Sequence, residues 1–63
     1  MNFETRYKTY VETDEDGFYS IGLRDTWTNH RVEIENLLNS EQVSMLKTNI
    51  DMTIWAINQL YNE

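Results

Sequence analysis

Hydrophobic and polar residues alternate along the first part of the chain, in the pattern of strands that bury one face. Residues 3–11 place aromatic and β-branched residues at every second position, and residues 18–25 repeat this pattern. The acidic segment 14–17 between them ends in glycine, which predicts a turn. These features together predict an antiparallel hairpin.

The faces of these two strands determine the length of the hairpin loop, because cross-strand partners share a face. A two-residue loop would place Val11 opposite Gly22, so the apolar faces would not match. A three-residue loop over residues 15–17 places Val11 opposite Ile21 instead. It also puts Gly17 where such loops need a left-handed residue. We therefore predict the three-residue loop.

A third alternating segment follows a turn at residues 26–29. Residues 30–35 alternate, and the β-branched pair Val32 and Ile34 at spacing two favours a strand. The alternative is a helix from about Asn29, because the apolar residues that follow Ile34 recur at helical spacing.

The last third of the chain predicts one amphipathic helix. Asn39 is a good N-cap, and Gln42 three residues later gives a pattern close to a capping box. Apolar residues then recur at spacings of three and four. Weak helix formers at 48–51 leave a break there as an alternative. The chain is thus predicted to be α+β, a three-stranded antiparallel meander followed by one long helix on one face (βββα), with residues 1–63 as a single small domain.

Composition and charge narrow the classes of function. A lone core in a chain of 63 residues rarely supplies more than roughly 3–5 kcal/mol, so such chains tend to rely on a disulfide, a metal or a partner. The chain has no cysteine, which excludes disulfides and thiolate metal sites. Its net charge of −6 argues against binding to nucleic acid or to an anionic membrane surface. With neither a signal peptide nor a membrane-spanning stretch in the sequence, we expect a cytoplasmic protein, in the host cytoplasm if the source is viral.

An acidic segment precedes Gly17. Its pattern Glu12-x-Asp14-x-Asp16-Gly17 resembles the first half of a calcium loop, but the twelfth position is Leu23. Half a ligand set cannot complete a calcium shell, so we predict no metal and no cofactor. We expect the segment to be a solvated tip that meets a basic surface on another protein. The predicted partner-binding residues are Glu12, Asp14, Glu15, Asp16, Trp27, Glu33 and Glu35.

Catalysis has one candidate group. His30 is the only side chain whose ordinary pKa lies near neutrality, and Asp25 flanks the same turn. A His–Asp pair without a nucleophile or a pocket is not a catalytic constellation. We therefore predict that the protein is not an enzyme.

Four of the five basic residues are predicted to lie on the outer face of the sheet, interleaved with acids. This arrangement indicates cross-strand ion pairs on a solvated face. The alternative is a nucleic-acid-binding sheet in which Tyr10 and Phe18 stack on bases, which the acids and the net charge disfavour. The four basic residues are Arg6, Lys8, Arg24 and Arg31.

The predicted helix carries a second apolar stripe beside its core-facing one. Methionine and tryptophan are enriched at protein interfaces, which favours self-association. The alternative is that these side chains wrap the edge of a small core. We predict a homodimer whose interface includes Met45, Met52, Trp55 and Ala56.

These features predict a non-catalytic protein-binding module, a small acidic regulator or inhibitor. In size and charge alone, the chain resembles accessory proteins of phages and mobile elements. Some of those proteins act as DNA mimics and block nucleic-acid-binding or defence enzymes by presenting carboxylates where phosphates would bind. The alternatives are a structural oligomerisation subunit and a nucleic-acid-binding sheet.

Overall fold

The predicted βββα architecture is confirmed in a computed structural model, which describes the backbone of residues 3–61 and the side chains of residues 5–60. Three antiparallel strands lie in the order β1-β2-β3, and one long helix follows them. A single helical turn precedes the sheet. The elements are α1 (Phe3–Arg6), β1 (Tyr7–Thr13), β2 (Tyr19–Asp25), β3 (Arg31–Leu38) and α2 (Ser40–Tyr61).

The hairpin between β1 and β2 has the predicted register and loop. Val11 lies opposite Ile21. The Asp14 N–H donates to the Phe18 carbonyl at 2.9 Å, which leaves three residues in the loop. Gly17 adopts a φ of 85°, a conformation that glycine reaches without a steric cost. Matching of the two apolar faces was therefore sufficient to determine the loop.

The structure corrects the predicted start of the first strand. Residues 3–6 form a helical turn, so β1 has seven residues and begins only at Tyr7. The Arg6 carbonyl accepts hydrogen bonds from the Thr26 N–H at 2.8 Å and the Thr26 hydroxyl at 2.9 Å. These bonds anchor the end of α1 to the turn after β2. The face predicted for Phe3 concerns a side chain outside the described residues.

The third strand also differs from its predicted bounds. It extends to Leu38, and the alternative of a helix from Asn29 is wrong. Its pairing with β2 shifts on either side of Ile21, and Leu37 has a φ of 56° near the strand's end. This irregularity ends the strand just before α2 begins.

Helix α2 begins as predicted and continues without a break. The Asn39 N–H donates to Gln42 Oε1 at 3.0 Å, and the Gln42 N–H donates to Asn39 Oδ1 at 2.8 Å, forming a reciprocal cap. Within the helix, the Thr48 hydroxyl donates to the Ser44 carbonyl. Weak helix formers are thus accommodated, and no break forms at 48–51.

The core is small and lies near the end of the sheet where β3 leads into α2. Among the described residues, the buried apolar side chains are Ile21, Leu38 and Val43. Helix α2 packs on α1, β1 and β2 more than on β3, and the Thr9 hydroxyl of β1 donates to Asp51 Oδ1 at 2.9 Å. The molecule measures 43 × 24 × 12 Å, which leaves little interior. The partly buried residues that pack against this core are Tyr19, Leu46 and Ile50.

Candidate protein-interaction surfaces

The acidic hairpin loop is held by one of its own carboxylates. Asp14 Oδ1 accepts hydrogen bonds from the Asp16 and Phe18 N–H groups, both at 2.9 Å. Asp14 therefore closes the loop, as aspartate does in Asx turns. The side chains of Glu15 and Asp16 are exposed and form no hydrogen bond or ion pair with another described residue. These two carboxylates are the ones that a partner can approach directly.

Glu12 differs from the loop acids because it is paired. Arg31 forms an ion pair with Glu12 across the outer face of the sheet. The Arg31 guanidinium carbon also lies 4.1 Å from the centre of the Tyr10 ring, which itself lies against Gly22. Tyr10 is thus covered by Arg31 and packed on the sheet, so its ring is not presented for base stacking. The nucleic-acid alternative loses one of its two aromatic residues.

Glu33 and Glu35 lie near the middle of β3. Glu33 is opposite Gly22, and Glu35 is opposite Ile21. Both are exposed, and both bind Asn36, whose amide donates to Glu33 Oε2 at 3.4 Å and whose N–H donates to Glu35 Oε1 at 3.2 Å.

Trp27 lies at the other end of the sheet from the acidic loop. It is in the predicted turn, and its ring is 4.5 Å from the Arg6 guanidinium carbon. Seven-residue strands separate the two ends by about 20 Å. The structure therefore does not bring Trp27 and the acids of the hairpin loop into one site.

Arg6 is not on the outer face of the sheet, where the sequence predicted it. Its guanidinium Nε lies 3.1 Å from both carboxylate oxygens of Asp25, and a terminal nitrogen lies 2.8 Å from Oδ2. The Trp27 N–H also donates to Asp25 Oδ1 at 3.0 Å. The Arg6 hydrogen bonds hold the pKa of Asp25 below its ordinary value, and the Trp27 bond adds to that effect. This cluster joins α1 to the turn after β2.

Acid should weaken this junction. A carboxylate whose pKa is lower in the folded chain stabilises it above the unfolded pKa, and this stability is lost as pH falls below about 4. We expect Asp25→Asn to reduce the acid dependence of the unfolding free energy, measured by urea titration at several pH values. Asp51 contributes to the acid dependence that remains, because its pKa is also below its ordinary value. Burial alone would raise the pKa of Asp51, but hydrogen bonds from Lys47 and Thr9 outweigh the burial. Asp16→Asn is the matched control, and an equal loss of pH dependence in both variants would contradict the assignment.

His30 and Asp25 are linked through their backbones and not through their side chains. Asp25 donates its backbone N–H to the His30 carbonyl at 2.8 Å, while its carboxylate is occupied by Arg6 and Trp27. The His30 side chain is exposed and forms no hydrogen bond with Asp25. The two residues are neighbours in a turn and do not form a proton-transfer pair.

The predicted stripe on α2 is exposed, and Trp55 lies at one edge of it. Met45, Met52 and Ala56 lie within about 40° of one another around the helix, and Trp55 is about 60° beyond Met52. Met45 borders the gap between α2 and the end of β3, near Leu37.

Strand β3 carries an exposed apolar surface that the hydrophobic pattern does not predict. Val32 is 65% exposed and Ile34 is 46% exposed, although strand alternation places both on the face opposite Arg31, Glu33 and Glu35. These residues are exposed because α2 lies over β1 and β2. One helix about 10 Å wide cannot also cover a third strand. Comparing the width of three strands with that of one helix would have revealed this surface.

In comparisons with known proteins, no protein-family model, curated protein or solved structure matches this chain. Within residues 3–61, no helix is both long and apolar enough to cross a bilayer.

Proposed function

We propose that this protein is a non-catalytic protein-binding module, a small acidic regulator or inhibitor that engages a basic surface on another protein. The observation that carries the proposal is the hairpin loop, which presents Glu15 and Asp16 to solvent on a backbone fixed by Asp14. A carboxylate pair on a fixed backbone meets a cationic partner with less loss of conformational freedom than one on a mobile loop.

The distribution of ion pairs supports the same proposal. Three of the five basic residues pair with acids inside the chain, namely Arg6, Arg31 and Lys47. Internal pairing neutralises most of the cationic groups, so the field that reaches a partner is dominated by acids. A field of one sign accelerates the approach of an oppositely charged surface and repels nucleic acid.

The test begins with capture of partners from the native cell and continues with binding kinetics on the recovered protein. We expect Glu15→Gln/Asp16→Asn to lower the association rate by roughly threefold to tenfold at low salt. The wild-type rate should fall as salt rises, because ions screen charges across distances of about a Debye length. The double variant leaves Asp14 and the loop backbone intact.

Glu33→Gln/Glu35→Gln is the matched control, because it removes the same net charge from a different part of the sheet. A loop site requires the loop variant to slow association more than this control does. Equal slowing would show a diffuse charge effect and would overturn the assignment to the loop. Salt-independent association that neither double variant changes would overturn the function itself.

A further inference from the structure

An apolar groove runs along α2 on the side of β3. Its floor is formed by inward-facing residues of β2 and β3, and its wall is formed by α2. Ile34 is 46% exposed, so the floor of the groove is open to solvent. Val32, which is 65% exposed and lies opposite Leu23, extends this apolar surface toward the start of β3. The groove continues past Ile34 to the junction of β3 and α2, where Leu37 and Met45 border it. Its central lining residues are Leu23, Ile34, Asn49, Ile50, Thr53, Ile54 and Ile57.

The same chain also carries a surface of the kind that would fill this groove. Met52 is 64% exposed, and it shares one side of α2 with Met45 and Ala56. The helix that bears these residues also forms the wall of the groove, so the two surfaces have the same length, about 33 Å for 22 residues.

We infer that the groove is occupied by α2 of a second copy of this chain. A two-fold axis places the two helices side by side and antiparallel, with each helix on its own β1 and β2 and on β3 of the other copy. The assembly has three layers, in which the pair of helices lies between the two sheets. A two-fold interface uses the same patch on both subunits. That patch must therefore contain both the groove and the apolar side of α2, and in this chain the two lie next to each other.

The charge distribution favours a second copy over a basic partner. Between Ser40 and Leu60 the charged residues of α2 are Glu41, Lys47 and Asp51. Lys47 and Asp51 pair with each other at 2.8 Å on the side that faces Thr9 of β1, away from the groove. Glu35 lines the groove at its β3–α2 end, but the central lining residues carry no carboxylate for a basic partner. A second α2 would bring an equally uncharged side to this central part. The net charge of −6 therefore does not prevent this contact.

The exposed area is close to what a dimer needs. Six large apolar side chains lie along the groove and the adjoining side of α2. Together these side chains expose roughly 700 Å². Each partner in a standard interface contributes about 800 Å². A chain of this mass is expected to expose about 4300 Å², and this one exposes 4797 Å². The six are Val32, Ile34, Leu37, Met45, Met52 and Leu60.

Sedimentation at about 100 µM tests the inference. We expect a wild-type dimer, and we expect Met52→Glu to raise its dissociation constant by about thirtyfold or more. Phe18→Glu is the matched control: it introduces the same charge at an exposed apolar residue on the other face of the sheet, and should leave the dimer intact. Because Met52 is exposed in the single chain, its substitution leaves the fold in place, which circular dichroism verifies.

A second arm identifies the contact itself. Full overlap of two antiparallel helices places the axis near their midpoints, which brings Met52 of one copy over Ile34 of the other. Ile34→Lys should also dissociate the dimer, and mixing it with Met52→Glu should restore a heterodimer. In the wild type, methyl contacts between Met52 and Ile34 should appear by nuclear magnetic resonance in mixtures of labelled and unlabelled chains.

Three results would overturn the inference. The first is a wild-type monomer at about 100 µM. The second is a dimer that persists in both Met52→Glu and Ile34→Lys, which would place the interface elsewhere, for example at the edge of β3. The third is a dimer without the Met52–Ile34 methyl contacts. None of these results changes the expected effect of the acidic loop on a basic partner, so the two proposals fail independently.

Discussion

Replacing Gly22 with alanine is expected to lower the free energy of unfolding by about 3 kcal/mol, the upper end of the range for overpacking. A Cβ atom at this position would lie 2.3 Å from the Val32 carbonyl oxygen and 2.5 Å from two carbons of the Tyr10 ring. The ring can turn away, but the carbonyl belongs to the neighbouring strand. Relief would therefore require β2 and β3 to separate locally. Urea unfolding followed by circular dichroism measures the loss.

Gly17→Ala is the comparison for Gly22→Ala. A Cβ at Gly17 meets nothing within 4 Å, so its cost comes only from the φ of 85° and should be about 1–2 kcal/mol. Adding Tyr10→Ala to Gly22→Ala should recover only part of the stability, because the contact with the Val32 carbonyl remains. A loss at Gly22 no larger than that at Gly17 would contradict the steric argument.

The second large effect is expected at Ile21. This side chain is fully buried on the central strand of the sheet, and Ile21→Ala should cost about 2–5 kcal/mol. A lone core of this size supplies only about 3–5 kcal/mol, so the variant should be largely unfolded as an isolated chain. Thermal and urea unfolding both report the change.

Ile21→Val and Phe18→Ala separate burial from hydrophobicity. The valine variant removes one methyl group and should cost about 0.5–1.5 kcal/mol. Phe18 is 44% exposed on the other face of the sheet, so its truncation should cost well under the loss at Ile21. If Phe18→Ala and Ile21→Ala were equally destabilising, the core would not be centred where the structure places it.

Much of the fold follows from local rules that the sequence states clearly. The register of Val11 with Ile21 follows from the two-residue period of a strand, and the cap at Asn39 follows from the reach of its side chain to Gln42. Both features depend on residues close in sequence. The long helix was predictable for the same reason.

Other features depend on contacts that periodicity does not encode. Residues 3–6 alternate as a strand would, yet they form a turn because Arg6 and its carbonyl bind Asp25 and Thr26, about twenty residues away. The position of α2 across the width of the sheet is likewise a tertiary property. It determines that Val32 is exposed, although alternation correctly places this residue on the inner face.

The candidate site residues also divide into those whose placement follows from local sequence and those whose placement depends on tertiary contacts. The exposure of Glu15 and Asp16 was predictable from a loop of known length. The pairing of Glu12 with Arg31 was not, because Arg31 lies on a strand that does not adjoin β1. A strand pattern gives the face of each residue, but the partner of a long side chain depends on its rotamer.

The way in which α2 closes over β1 also bears on the order in which the chain folds. The two hairpins form between neighbouring segments, whereas the bond from Thr9 to Asp51 spans 42 residues. A sheet without its helix would leave Ile21 in water, and a helix without the sheet would have no surface to cover. Neither half therefore gains stability before the other arrives. The chain should fold in a single cooperative step, without a populated intermediate that contains the sheet alone.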